Sequence, residues 1–436
     1  MKRFVVFVLA LVLFTAFAWS TAQGETRPGE KVTIVDIRWS EKTVDVLVPE
    51  AAEKFMAENP NVEVQVLLYA HPDTTNKIRM NLAAGGDLDT FALSNFDTPE
   101  FLSQGLCMEI MPEAFGKNTV QQVVDMWNEG AIAKAGGMWE GKYYGLTYEL
   151  SNYAAWINTK FMSEAGLNPK TDLPKDWGQF VDVAKKMTVD KGGVRVRNGF
   201  ATNAKAGIFI HLILHSFIEQ KGLSWATEDS YLESLDDPKT VDALRTFTDF
   251  VTKHKIWDPG LFDDEREGFG NGLTATFLTG GTWYWGVLEA YSVPASDVAP
   301  FPYPRFRGGK DIGGPGYGAC VFVNKATEHP LIAWQWADFE ASFPNDWMKR
   351  GRANQARHTL SDGSPGLDPS LAREYIPNPD VFFAEMGKAA TCFSSVHFNE
   401  ISDAIQGFTS RIFFEGMTVE ESLAELRRDS HDIIGK

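Results

Sequence analysis

The alternation of apolar runs between Lys31 and Leu93 restricts this chain more than any other feature. Lys31-Val-Thr-Ile-Val-Asp-Ile-Arg38 reads as a buried strand ending at Trp39-Ser40-Glu41-Lys42. Val44 to Asn59 then carries apolar residues at helical spacing (Val44, Leu47, Val48, Ala51, Phe55) until Asn59-Pro60 stops it. Val62 to Tyr69 alternates again as a strand and runs through Ala70-His71-Pro72-Asp73 into a second helix that ends at Gly85-Gly86. Thr90-Phe-Ala-Leu93 is a third strand, closed by Ser94-Asn95-Phe96-Asp97. Strand, helix, strand, helix, strand predicts a mostly parallel α/β sheet. In such sheets the loops at the carboxyl ends of the strands gather at one edge, where ligands bind. The loops around Trp39, His71 and Asn95 to Asp97 are thereby expected to meet.

Beyond residue 150 the pattern is more helical. Phe180 to Met187, Ile208 to Glu219 and Thr240 to His254 are the clearest helices, separated by Asn168-Pro169, Leu173-Pro174 and Asp236-Asp237-Pro238. Ala299-Pro-Phe-Pro-Tyr-Pro304 is strand-like but proline-rich, and proline is a poor central-strand residue. Residues 298–304 are therefore read as a crossing between two lobes, leading into the Gly-rich segment Gly308 to Gly318. No tandem repeat or low-complexity tract is visible.

Met1-Lys2-Arg3, the apolar run Phe4 to Phe17 and the small residues of Ser20-Thr21-Ala22 have the layout of a secretory signal, with cleavage expected near Ala22 and an alternative after Ala18. The apolar run is shorter than the roughly 20 residues that span a bilayer. No cysteine follows it, so a lipid-attached form is not expected. Removing residues 1–22 leaves 39 Lys and Arg against 58 Asp and Glu. That acidity repels phosphate backbones and anionic lipid surfaces, which argues against nucleic acid as a partner. With 44% hydrophobic residues, the roughly 410 that remain suffice for two separately packed domains. Cys107, Cys320 and Cys392 lie far apart without metal-ligand spacing; two could pair, or all could be buried thiols. His211 and His215 are four apart on an apolar helix but lack the neighbouring Glu of a metalloprotease, so they read as structural. No metal or other cofactor is expected.

Several segments, in their order, are similar to the sugar-binding branch of the extracellular solute-binding proteins of ABC importers, the group that includes maltodextrin-binding proteins. They are Trp139-Glu-Gly-Lys-Tyr-Tyr-Gly-Leu146, Ala155-Trp-Ile-Asn158, Phe161 to Leu167, Trp177 to Lys186, Phe277-Leu-Thr-Gly-Gly-Thr-Trp283, Pro302 to Gly318 and Ala333-Trp-Gln-Trp-Ala337. Gly86-Asp-Leu-Asp89 departs from the Gly-x-x-Pro-Asp often found before the third strand of that family. The resemblance implies an α/β, two-lobe periplasmic-binding-protein fold of type II with three interlobe crossings. The first lobe would hold residues 23–149 and 303–368, the second 150–302 and 369–436. It implies a periplasmic or extracellular monomer, without catalysis, that hands a carbohydrate to the membrane subunits of an ABC transporter.

A sugar offers apolar C–H faces and a rim of hydroxyls, so its receptor needs flat rings and fixed polar groups. Trp283-Tyr284-Trp285 follows Gly280-Gly281; the resemblance places a stacking aromatic there, Trp283 first and Trp285 second, while strand-like alternation would turn Tyr284 away. Trp39, Ser40 and Glu41 stand at the mouth of the first strand, either as contacts or as loop cover. His71, Asn95 and Asp97 occupy the matching loops, as contacts or turn stabilisers. Glu149 and Asn152 fall at the first crossing, where the resemblance implies a polar contact or a hinge role. Tyr317 closes the cleft in this reading, Arg357 grips hydroxyls or a carboxylate unless it is a solvated helix end, and Phe398 adds a further ring. Two other readings stay open: a secreted glycoside hydrolase with paired carboxylates, and the same fold carrying an organic acid or polyamine.

Overall fold

The computed structural model describes residues 31–41, 44–343, 347–391 and 393–435. The expected signal segment and Cys392 lie outside the described residues. Twelve strands run in chain order: β1 (Val32–Ser40), β2 (Val62–Ala70), β3 (Leu88–Ser94), β4 (Met138–Trp139), β5 (Lys142–Tyr143), β6 (Gly145–Asn152), β7 (Ala154–Asn158), β8 (Val189–Lys191), β9 (Val194–Arg197), β10 (Thr276–Gly280), β11 (Val298–Phe301) and β12 (Gly316–Val323).

The first lobe is built on a five-stranded sheet in the order β2-β1-β3-β12-β6. The first three strands are parallel, with Val32 opposite Val62 and Ser40 opposite Ala70. The returning β12 is antiparallel to both β3 and β6. Helix Val44–Glu58 lays Leu47, Val48, Ala51 and Phe55 on the sheet and meets helix Pro330–Ser342 edge-on, Phe55 to Trp336 at 5.6 Å. An apolar face at the 3.6-residue period is what holds such a helix in place.

The second lobe has a smaller antiparallel sheet, β10-β7-β11, inside a helical shell. Successive side chains of a strand face opposite ways, and β7 shows it: Ala155 and Ile157 join the core under helix Gly207–Gln220, while Ala154 and Trp156 join a separate core with Phe277, Tyr284 and Phe382. The expected helices appear as Trp177–Met187, Gly207–Gln220 and Pro238–Thr252.

One expectation is corrected here. Residues 298–301 are not a crossing but β11, an edge strand of the second sheet, where Pro300 removes no ladder bond on a central strand. Tyr303 still packs in the second core, its hydroxyl donating to the Leu278 carbonyl at 2.8 Å. The chain rejoins the first sheet only at Gly316, and it leaves that sheet between Asn152 and Ala154 rather than at 149. Cys107 and Cys320 are buried free thiols.

Candidate functional site

The topology brings the site together. Because β6 runs antiparallel to β12 and β12 antiparallel to β3, the carboxyl ends of β1, β2, β3 and β6 share one edge with the amino end of β12. Glu41, Asn95, Asp97, Glu149, Asn152 and Tyr317 therefore converge there, although they come from segments up to 276 residues apart by number.

Glu149 is only 5% exposed, and its Oε1 has no hydrogen-bond partner. Burial pushes its carboxyl well above the usual range, and the Glu41 charge adds to the shift. Glu41 follows β1; water reaches its side chain, yet protein surrounds it, and loss of hydration pushes it up to about 7. Asp45 raises it further, and Arg266, from the other lobe, opposes. Arg266 is itself committed to Asp264, which accepts its Nε at 3.0 Å and its Nη2 at 2.7 Å. Asn152, 1% exposed, buries both its amide nitrogen and its carbonyl oxygen without partners. Buried polar groups are nearly always hydrogen-bonded, so such orphans need an explanation.

From the second lobe, Gly281 and Trp283 approach this edge. A Cβ on Gly281 would stand 2.8 Å from Trp283 Nε1 and 2.9 Å from Ser151 Oγ, so only glycine lets the two lobes touch here. Ser151 Oγ accepts the Thr282 amide at 3.4 Å, and Asn354 Nδ2 donates to Thr282 Oγ1 at 3.4 Å while the Asn354 carbonyl accepts the Leu150 amide. Trp283 is half-buried, its ring 6.3 Å from Tyr317, and its indole N–H has no partner. Tyr317 stacks on Tyr153 at 5.9 Å.

The other expected residues have different duties. Trp39 is packed in the first core, 6.1 Å from Tyr148. Ser40 donates to Asp45 at 3.0 Å, a local tie at a helix start. His71 is the first residue of helix His71–Ala84, directly after β2; the structure describes only its backbone place. Asn95 donates to the Gly316 carbonyl at 3.3 Å, and Asp97 accepts Ser94 Oγ at 2.7 Å and Asn399 Nδ2 at 3.4 Å, so it both shapes its turn and reaches across to the second lobe.

Three expectations are corrected. Trp285 is not a ligand ring: Tyr284–Ala290 is a helix, not a strand, so alternation does not hold and both Tyr284 and Trp285 point into the third core. Arg357 is neither a hydroxyl grip nor a solvated end, since it is ion-paired to buried Asp338 and lies 5.0 Å over the Trp127 ring. Phe398 is 2% exposed and stacked between Phe96 at 5.3 Å and His211 at 4.8 Å, which makes it a wedge between lobes. Sequence reading missed Ser151, Thr282, Arg266 and Asn354. Asn354 stands three residues before Arg357 and could have been chosen; nothing local marks Arg266.

A separate hollow of about 480 Å³ lies among Lys221, Lys239, Phe306, Arg307 and Lys310. It is open, its lysines and arginine mostly exposed, and it lacks the buried unpartnered groups that mark the interlobe edge. Among the described residues no cluster of His, Cys, Asp and Glu could hold a metal ion, and no helix is long and apolar enough to cross a membrane.

A two-lobe α/β molecule with polar and aromatic groups converging where the lobes meet has the architecture of a type II periplasmic binding protein. Residues 50–345 match the bacterial extracellular solute-binding protein family, and the chain belongs to it. Among its relatives are a lactose-binding protein of Rhizobium radiobacter, 21% identical over 62% of this chain and 60% of that one, and an arabinooligosaccharide-binding protein of Halalkalibacterium halodurans, 24% identical over 66% and 62%. The match thus spans somewhat less than two thirds of either relative. An ABC substrate-binding protein from Listeria monocytogenes, solved in complex with cycloalternan, superimposes with a TM-score of 0.77 at 18% identity, covering 93% of this chain and all of that one.

Proposed function

We propose that this protein is an exported receptor, without catalysis of its own, that captures a carbohydrate between its lobes and delivers it to the membrane subunits of an ABC transporter. The observation that carries the reading is the half-buried Trp283 ring, its N–H unpaired, beside Tyr317 at the edge to which Glu149 brings a buried oxygen that also lacks a partner. A ring for a sugar's C–H face next to unspent donors and acceptors for its hydroxyls is what a saccharide demands. The names of the relatives, two of them sugar-binding proteins, support the same class. In this reading Trp283 stacks, Glu149 and Asn152 take hydroxyls, Tyr317 walls the cleft, and Ser151, Thr282 and Asn354 form the pin about which the lobes close. Export with cleavage near Ala22, a periplasmic or extracellular location and a monomeric state belong to the same proposal.

The test is a thermal-shift and tryptophan-fluorescence screen of the purified protein against mono-, di- and oligosaccharides. A true ligand at 100 times its Kd adds about 2.7 kcal/mol of stability, quenches or shifts the fluorescence saturably and is recovered chemically unchanged. Release of a shorter sugar would mean a hydrolase. No response to any saccharide, with a response to an organic acid or polyamine, would move the cargo to another class.

A further inference from the structure

We propose that Arg352 is a positioning residue for the saccharide: it holds the helix that Trp283 leads at a fixed angle to the first lobe, without touching the sugar itself. This rests on the carbohydrate reading above and deepens it.

Trp283 stands directly before helix Tyr284–Ala290, so where its ring points depends on how that helix is held. At the start of the helix, Ser151 Oγ accepts the Thr282 amide and Asn354 Nδ2 donates to Thr282 Oγ1. One such point makes a pivot and leaves the direction of the axis free. The second point is Glu289, six residues after Trp283, or about 9 Å along the axis at about 1.5 Å per residue. Its carboxylate accepts Arg352 Nε at 3.1 Å and Arg352 Nη2 at 2.9 Å, a two-pronged pair that fixes orientation as well as distance. A Cβ on Gly286, between the two points, would stand 3.6 Å from Arg352 Cγ, so the helix lies against the arginine's stem. The guanidinium also lies 5.3 Å over the Tyr375 ring and donates to the Lys349 carbonyl, which leaves it little freedom. Only 13% of the Arg352 side chain is exposed, against 38% for Glu289, so water screens this pair less than an open surface pair.

The segment that carries Arg352 makes this hold bear on the cleft. It runs between two cores: Met348 packs with Tyr284 and Trp285 in the third, whereas Trp347 and Ala353 pack in the first. Trp347 lies 5.1 Å from Tyr148, the neighbour of Glu149. Two residues after Arg352, Asn354 supplies the other hold, so one stretch of chain grips the helix at both ends. The backbone of Arg352 is left-handed, with φ of 61°, a conformation that glycine adopts freely and arginine does not. A residue stays in such a conformation where its surroundings over-determine it, and the contacts that do so here are those of its side chain.

The experiment compares R352Q, E289Q and the double variant with the unaltered protein, by small-angle X-ray scattering without sugar and by tryptophan-fluorescence titration. The probes are the mono-, di- and oligosaccharides of the screen above, lactose and maltotriose among them. Each single variant is expected to scatter as a wider molecule and to bind about fivefold more weakly whichever sugar the unaltered protein binds. The double variant should also lose about fivefold and no more, because both changes break one contact. Raising the salt should weaken the unaltered protein towards the variants and move the variants little. Should R352Q fold poorly by circular dichroism, E289Q carries the test, since Glu289 is exposed and outside every core. Single variants that bind within about twofold of the unaltered protein would overturn the proposal, whatever the scattering shows, and leave the carbohydrate reading standing. Losses that multiply in the double variant would overturn it too, because the two side chains would then act apart. So would weaker binding with unchanged scattering, which would put Arg352 on the sugar, or a melting temperature that falls in step with affinity, which would make the pair a staple of the fold. If no sugar of the screen moves the fluorescence of the unaltered protein, the carbohydrate reading itself falls and takes this one with it.

Discussion

Two groups of buried polar side chains lie in the first lobe, on and against its sheet, and they differ in how their charges are met. In the interior, Arg38 donates to Asp36 at 2.8 Å and to Glu340, Thr90 donates to Asp36 at 2.7 Å, and the guanidinium lies 5.9 Å over the Tyr148 ring. Charges there meet charges inside one lobe. At the sheet edge, on the far side of Tyr148 in sequence, Glu149 and Asn152 are as deeply buried, but among the described residues no ion pair reaches Glu149 and neither side-chain amide atom of Asn152 is filled. Both groups keep orphaned atoms, Arg38 Nη1 and Glu340 Oε1 in the interior among them, so what separates them is charge: the interior carboxylates face a cation, and the carboxyl of Glu149 has no such pair among the described residues. An uncompensated carboxyl beside a wholly unfilled amide, rather than burial alone, distinguishes the edge.

The comparison can be broken most forcefully at Arg38. Arg38→Ala would leave Asp36 and Glu340 buried without a cation and is expected to cost about 3–5 kcal/mol of stability in denaturant unfolding. A loss below about 1 kcal/mol would mean that Arg38 does not compensate the two buried carboxylates. Trp285→Ala, in the third core, should cost a similar amount through its cavity, about 3–5 kcal/mol, and leave saccharide affinity in the surviving folded fraction unaltered. Two residues earlier the consequence inverts. Trp283→Ala should weaken saccharide binding by about 2 kcal/mol, roughly thirtyfold, with stability changed by less than about 1 kcal/mol. Titration and thermal melts of the pair together would show whether stacking and core duties are divided in this way.

Asn152→Leu sharpens the contrast from the other side. Replacing an amide that has no partners by an apolar side chain removes a desolvation penalty, so the melting temperature of the unliganded protein should hold or rise while binding is lost. A clear fall in melting temperature would show that Asn152 is a structural member of the hinge. A change of pH acts on both regions at once. Glu41 is pushed up to about 7 and Glu340, beside Arg38 and Asp36, to about 8, so the folded protein keeps protons that the unfolded chain gives up near 4.5. Their contribution is complete below about 4.5 and is lost as pH rises toward 8. Melting temperature should therefore decline between pH 5 and pH 8, and E340Q should flatten the interior's share without touching that of the cleft.

Much of this was readable from residues alone. The three early strands and their helices declare themselves by periodicity, and the parallel topology they imply already brings the loops after Ser40, Ala70 and Ser94 to one edge. Glu41 and Asp97 follow from those loops, whereas Glu149 and Trp283 were singled out by the resemblance to the family. Trp285 failed because two tryptophans two apart read alike in a strand and in a helix, and only the backbone after Gly281 distinguishes them. Arg357 failed because a cation's role depends on the carboxylate it meets, and Asp338 lies on a helix whose facing side no local pattern announces.

Local chemistry was enough to specify a layered α/β molecule: strand and helix periods set the layers, and an acidic composition argued against nucleic acid as a partner. Which polar groups were left unspent was settled only when β12 returned, across some 220 residues of intervening chain, to lie between β3 and β6. Hydrogen bonding is a relation between atoms, so whether Glu149 or Arg38 is satisfied is a property of its neighbours in space, and those neighbours exist only once the chain has folded.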